Sequence, residues 1–353
     1  MKTPRIEFDL DKIGHNVRTL NELYNSKGIN LMGVTKVICG NPSIAKVLKK
    51  NGIKILADSQ IQNIKRMQDA GIKSTFVLLR SPSLSQVKDV VKYADISHNT
   101  EYLVIKELSR EALKQKTRHK IILMVELGDL REGIMPSDII NVTRRVLRLK
   151  GIKLVGLGAN LACFGGIAPD EKNMDELSSM VSNIETKFKI KLKYVSGGSS
   201  ANYNWSNTTK NIDRINYLRL GEAIFLGREP LFRETIKELL TDAFTLVAEV
   251  IESKTKPSLP YGNICQDSFG ESKHFIDEGL MNRIILGVGK QDVRVSGLTP
   301  RKNIEILGAS SDHLIINKKK LKIGVGQELS FDMNYSALLT AMSSSYIKKI
   351  GLK

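Results

Sequence analysis

The chain lacks any apolar run near the roughly 20 residues that a membrane-spanning helix needs. Cysteine is scarce. Cys39, Cys163 and Cys265 form no CxxC pair and no metal-ligand spacing, which excludes a disulfide scaffold and a zinc module. The odd count fits reduced thiols. The first residues, Met1-Lys2-Thr3-Pro4-Arg5-Ile6-Glu7, carry no apolar signal-peptide core, so a cytoplasmic setting is expected. Acidic residues are in deficit, 37 against 54 Lys and Arg, for a formal net charge of +17. Such a balance raises the question of nucleic acid. The lysines are scattered, however, and no zinc finger, RNP motif or glycine-arginine tract accompanies them. Lys318-Lys319-Lys320 reads as a solvated turn. Neither nucleic acid nor membrane is expected as a partner.

What is present is ordinary for a folded chain: 41% hydrophobic and 26% charged residues over a length of 353. Apolar β-like runs at 31–36, 53–58, 74–79, 94–98, 120–127, 152–160, 192–197 and 216–220 alternate with amphipathic stretches. Ile121-Ile122-Leu123-Met124-Val125 is the clearest run of a strand buried on both faces. Eight strands alternating with helices predict a closed parallel barrel. After Pro230 the texture becomes β-rich, with glycine, proline and asparagine as punctuation; a helix over 229–240 is expected first. The fold class is therefore α/β, a (β/α)8 TIM-type barrel over 1–228 followed by a C-terminal all-β domain over 229–353.

Reactive groups of such barrels gather at the C-terminal ends of the strands. The first expected strand ends at Lys36, in Leu31-Met32-Gly33-Val34-Thr35-Lys36. Burial there disfavours the charged amine, and a neutral amine can form a Schiff base with a carbonyl compound. A lysine that merely snorkels from a strand end is the plainer alternative. The seventh strand runs into Ser196-Gly197-Gly198-Ser199-Ser200-Ala201-Asn202, and the eighth ends Leu218-Arg219-Leu220-Gly221-Glu222. Loops at these two places are the usual phosphate site of a barrel, although tight turns alone also need glycine. A phosphate there and a lysine on the first strand point to pyridoxal 5'-phosphate.

In their order these motifs resemble the alanine racemase-like, fold-type III pyridoxal-phosphate enzymes. The likeness runs through Gly33-Val34-Thr35-Lys36, Asp129-Leu130-Arg131-Glu132-Gly133-Ile134, Ser199-Ser200-Ala201-Asn202, Leu218-Arg219-Leu220-Gly221, Gly287-Val288-Gly289 and Ser311-Asp312-His313 to Tyr346. The forms Gly-Lys-Gln-Asp-Val over 289–293 and Asn-Tyr-Ser-Ala-Leu-Leu-Thr-Ala-Met over 334–342 look more like the ornithine racemase branch.

The resemblance implies that Lys36 holds the cofactor. It implies that Ser200 and the amides of Gly221 and Glu222 hold its phosphate, with help from Tyr346, and that Arg219 faces the ring nitrogen. Arg131 would lie near the substrate carboxylate, and Asn160 stands where the family has a histidine. Racemisation needs a second proton-transfer group opposite Lys36. The family's tyrosine from the second domain, which works across a homodimer, appears here as Lys290. Tyr261, Tyr335 and Cys265 are further candidates. Other departures are Gly40 for a phosphate-contacting tyrosine and Met124 for a strand-five lysine. If the substrate is ornithine, its distal ammonium needs an acid, because an unpaired buried charge is costly. Asp292 is the first choice and Asp267 the second. Racemisation of lysine or alanine, decarboxylation of a basic amino acid, and non-catalytic cofactor binding are the alternatives.

Overall fold

The computed structural model describes residues 2–272 and 274–352. The chain divides into two compact units, Asp11–Thr241 and Met1–Leu10 with Asp242–Lys353. Among the described residues no helix is long and apolar enough to cross a membrane.

The first strand, β1 (Arg5–Asp9), belongs to the second unit. The first unit is a closed barrel of eight parallel strands: β2 (Asn30–Val34), β3 (Ile55–Asp58), β4 (Thr75–Leu78), β5 (Ile96–Asn99), β6 (His119–Val125), β7 (Ile152–Ala159), β8 (Tyr194–Gly198) and β9 (Tyr217–Leu220). The barrel closes where Leu31 pairs with Leu218 and Gly33 with Leu220. Side chains alternate across a strand. Met32, Val34, Ile55, Ala57, Val77, Ile96, Ile122, Met124, Val155 and Tyr194 form one buried cluster, with Tyr217 packed against it. Each such side chain contributes about 1.5–3 kcal/mol when fully buried. The same alternation sends His98, Ser196 and Arg219, two residues beyond Ile96, Tyr194 and Tyr217, to the next layer toward the strand C-termini.

The helices between strands follow their local signals. Helix Pro42–Lys50 starts with Asn41 as cap, its side chain accepting from the N–H groups of Ser43 and Ile44, with proline at the first position. Helix Glu171–Phe188 starts with a capping box of Asp170 and Asn173. After β8 the chain makes a single 3-10 turn at Ser200–Asn202 and then the short helix Tyr203–Thr208.

The expected helix over 229–240 does not form. Glu229 is buried, and its carboxylate accepts the N–H groups of Leu231 (2.7 Å), Phe232 (2.8 Å) and Glu234 (3.0 Å), which bends the chain into a turn. Arg233 and Glu238 adopt positive φ, 64° and 67°, which no right-handed helix accommodates. This stretch packs with the barrel: Asn16 donates to Leu240 O and accepts from Leu240 N, both at 2.8 Å. The boundary between compact units therefore falls at 241/242 rather than 228/229.

In the second unit, β10 (Phe244–Pro257), β11 (Leu280–Leu286), β12 (Leu298–Pro300), β13 (Glu305–Ala309), β14 (Leu314–Asn317) and β15 (Glu328–Met333) form a sheet in the order β12-β15-β10-β11-β14-β13. β1 pairs with β10 and, in parallel, with β16 (Lys348–Leu352). Arg5 locks this edge through a two-pronged pair with Glu328 at 2.6 and 2.7 Å. A helix, Tyr335–Ser343, capped by Asn334, joins β15 to β16.

Candidate active site

Lys36 stands just beyond the end of β2. The strand stops at Val34, not at Lys36 as expected, because Thr35 leaves the extended region at φ −97°, ψ 3° and Lys36 opens a 3-10 turn, Lys36–Ile38. Thr35 is pinned. Its N–H donates to Ala57 O at 2.8 Å and its hydroxyl to Asp58 Oδ2 at 2.6 Å. Asp58 is fully buried at the end of β3 and also accepts from Gln60 N (2.9 Å) and Asn63 Nδ2 (3.0 Å). Burial pushes its carboxyl up, while these donors pull the other way. The half-buried Lys36 side chain thus extends from a backbone held on both sides of the β2–β3 pair. Gly40 has φ +60°, and a Cβ there would meet Asn63 O at 2.8 Å. This backbone has no room for the tyrosine that the resemblance leads one to look for.

Arg219 is buried at the end of β9. Its Nη1 donates to Ser196 Oγ at 2.5 Å, and Nη2 to Ala159 O at 2.8 Å and Asn160 Oδ1 at 3.1 Å. Two neighbouring strands, β8 and the end of β7, therefore hold one guanidinium. Burial pulls its pKa down to about 10, so it stays protonated at neutral pH. His98, buried on β5, is held well below the usual histidine range, first by burial and then by the Arg219 charge. Among the described residues its Nε2 has no hydrogen-bond partner, and neither has the Oδ1 of neighbouring Asn99. Burial pulls nearby His119 down to about 4; its Nε2 meets Ser97 Oγ at 2.8 Å.

Ser200, Gly221 and Glu222 meet at the ends of β8 and β9. Gly198, at φ +146°, bends the chain so closely that a Cβ would lie 2.2 Å from Asn202 Oδ1. The buried Ser200 hydroxyl accepts from Ala223 N at 3.2 Å. The first amides of helix Glu222–Leu226 have no acceptor within the helix. Gly221 packs close to the end of β2: a Cβ on it would lie 3.3 Å from Val34. Burial raises the Glu222 carboxyl, opposed by Arg233, with which it is ion-paired, and by the charge of Lys36. These relations bring the amine, the hydroxyl and the amides to one mouth.

Two loops complete that mouth. In the first, buried Glu126 accepts from Gly128 N (2.6 Å) and Leu130 N (2.9 Å) and folds the turn that carries Arg131. Arg131 pairs with its neighbour Glu132, Nη2 to Oε1 at 2.6 Å. In the second, buried Asp129 gathers the N–H groups of Cys163, Phe164 and Gly165, tying the loop after β7 to the loop after β6. Half-buried Asn160 links the two sides, bonding Arg219 and receiving Cys163 Sγ at 3.6 Å. The Arg219 guanidinium also feels the opposing charges of Glu132 and Arg131. Sequence reasoning passed over His98 and gave Asp58, Asp129 and Glu132 no individual role. Two-residue alternation from Ile96 would have found His98; the buried carboxylates carry no periodic signal.

The remaining candidates lie in the second unit. Lys290 Nζ pairs with Glu271 Oε2 at 3.3 Å and lies 3.8 Å from the centroid of the Phe269 ring. Asp267 shapes the same turn, its Oδ1 accepting from Phe269 N (2.8 Å) and Glu271 N (3.1 Å). Asp292 is buried; it accepts from Gly289 N at 3.2 Å and from Ser344 Oγ at 3.1 Å. Ser344 in turn accepts from Tyr346 N, so the 289–293 turn and the exposed Tyr346 lie together. The expected role of Asp292 toward an ammonium meets a competing use, since both its oxygens already have partners in this unit. Tyr261, Cys265 and Tyr346 are exposed.

A closed barrel with a lysine after its first strand, a buried arginine on its last and an amide-and-hydroxyl seat beside them defines a class. The model for the alanine racemase N-terminal domain matches residues 8–229, and the chain belongs to the alanine racemase family. It is 38% identical to an ornithine racemase from Acetoanaerobium sticklandii, covering 98% of this chain and 99% of that one. It is 37% identical to a lysine racemase from Thermotoga maritima, covering 99% of each. Among solved structures, the alanine racemase of Streptomyces lavendulae matches with a TM-score of 0.77 at 17% identity, covering 100% of this chain and 98% of that one. That likeness speaks for the fold alone.

Proposed function

We propose that this chain is a pyridoxal-phosphate-dependent racemase of a basic amino acid, with ornithine as the first substrate to test and lysine as the second. The observation that carries the reading is the convergence of Lys36, Arg219 and the Ser200-Gly221-Glu222 seat on one barrel mouth, in a chain that aligns end to end with racemases named for ornithine and lysine. The donor set suits the cofactor. Amides and a hydroxyl fit a phosphate, and an amine stands beside them.

Bound there, pyridoxal phosphate would supply an aldehyde for the amines of Lys36 and substrate and an electron sink for charge developing at Cα. Lys36 takes and returns the Cα proton on one face. Arg219 is held by three acceptors and stays protonated, so it cannot accept a proton from a ring nitrogen facing it. That keeps the sink weak and favours simple proton return over decarboxylation or transamination. Arg131 orients the substrate carboxylate, and Asn160 holds Arg219 in place. Lys290, with the Tyr346 region, serves the opposite face from a partner subunit in a homodimer. Of the two acids assigned to a distal ammonium, Asp267 is less buried than Asp292, so we rank it first. We place the enzyme in the cytoplasm because its three cysteines form no disulfide.

Incubation with L-ornithine, L-lysine and L-alanine separately, with chiral separation of the products, tests this reading. D-ornithine or D-lysine as the main product is expected. D-alanine as the main product would overturn the substrate, and carbon dioxide release without any D-product would overturn the reaction.

A further inference from the structure

The phosphate seat contains an oddity. A carboxylate belongs to one of the residues whose amide is assigned to the phosphate. Glu222 is only 13% exposed, and a bare carboxylate at this place would repel a phosphate dianion. Its partner Arg233 is 61% exposed, eleven residues along the chain. The segment between them is built with care. Buried Glu229 spends its carboxylate on three N–H groups of the turn. Glu229 N donates to Glu234 O at 3.0 Å, Arg228 Nη1 donates to Arg233 O at 3.0 Å, and Arg233 itself is held at φ 64°. A plain surface crossing needs none of this. An ion pair whose cation is largely exposed adds limited stability of its own, so the turn is better explained by what Arg233 does to Glu222.

We propose that Arg233 is a positioning residue for the cofactor's phosphate: through the ion pair it draws the Glu222 carboxylate aside and cancels its charge, so that the amides of Gly221 and Glu222 and the Ser200 hydroxyl can receive a dianion. The inference rests on the pyridoxal-phosphate reading above. It makes an unusual demand on variants. Loss of Arg233 alone is damaging because it leaves Glu222 uncompensated. Loss of the Glu222 charge removes the need for Arg233.

The test is cofactor affinity rather than turnover. The full-length chain is titrated with pyridoxal phosphate and followed by fluorescence of Trp205, the single tryptophan, which is buried in the helix just after Ser200–Asn202. Arg233→Ala should weaken binding roughly ten- to a hundred-fold. Glu222→Gln keeps the amide and should tighten binding. The double variant should return to within a few-fold of wild type. Thermal unfolding of each variant checks that the turn survives. Wild-type affinity in Arg233→Ala, or a double variant as weak as Arg233→Ala, would overturn the proposal, the second result making Arg233 a support of the turn only. A wild-type chain that takes up no pyridoxal phosphate would instead overturn the functional reading, and this inference with it.

Discussion

The barrel mouth and the second unit treat their candidate residues in opposite ways. In the barrel, residues far apart in sequence meet: Arg219 is held from β7, β8 and the loop after β7, and Thr35 from β3. In the second unit, Lys290 and Asp267 meet at one turn, and Asp292 ties a turn to Ser344. Tyr346 is exposed. The difference teaches how the labour is split. A closed parallel barrel fixes the depth of every side chain by alternation, so a cofactor frame can be complete within one unit. The second unit holds its candidates by local turns instead: Asp292 is buried, Lys290 and Asp267 are half-buried, and Tyr346 is exposed.

The comparison breaks first at Lys36. If the barrel frame is complete, Lys36→Ala should lower turnover by roughly 10⁴-fold or more and abolish the visible absorbance of lysine-bound cofactor. Substantial residual turnover with an unchanged spectrum would move the chemistry elsewhere. Arg219→Ala comes next. It removes a buried cation and strips Asn160 and Ser196 of their donor, so kcat/KM should fall about 10²–10³-fold, read by the same chiral assay. A drop no larger than that of a surface arginine would leave the barrel layer without a role for its most enclosed charge.

The second unit is tested by Lys290→Ala. We expect interconversion to fall by about 10²-fold while exchange of the Cα hydrogen with solvent persists from one enantiomer. Equal exchange from both enantiomers at wild-type rate would remove Lys290 from the mechanism. The smallest effect concerns the barrel as a frame. His119 is held near 4 in the folded chain against 6.5 when unfolded, so the unfolded state binds the extra proton first. Stability contributed by the neutral ring is present above pH 6.5 and is lost as pH falls toward 4, by about 2 kcal/mol at pH 5. Denaturant unfolding of wild type and His119→Gln over that range should show the slope flattened in the variant. Parallel curves would assign the acid sensitivity to other groups.

The barrel was legible in the sequence because its strands are apolar on both faces and its punctuation is regular. The positions of Lys36, Ser200, Arg219 and Gly221 at or just beyond strand ends could be read for the same reason, because each follows such a run. The reading failed where local chemistry overrides pattern. The 229–240 stretch looks helical, yet Pro230, the Glu229 carboxylate and two left-handed residues make it a turn. β1 was missed because Arg5–Asp9 alternates weakly and finds its partners, β10 and β16, at the other end of the chain. The structural roles of the buried carboxylates Asp58, Asp129 and Glu229 could not be read because their donors are brought to them by the fold. The bonds of Asp292 to Gly289 N and Ser344 Oγ could not be foreseen, because a turn acid and a binding acid read alike in one sequence.

The most direct measurement is racemisation of L-ornithine in deuterium oxide by the cofactor-loaded protein, with mass analysis of the separated enantiomers. A chain working through Lys36 at Cα yields D-ornithine carrying one deuterium at Cα, and Lys36→Ala yields none. D-ornithine that keeps its original hydrogen, or undiminished product from Lys36→Ala, would contradict the assignment.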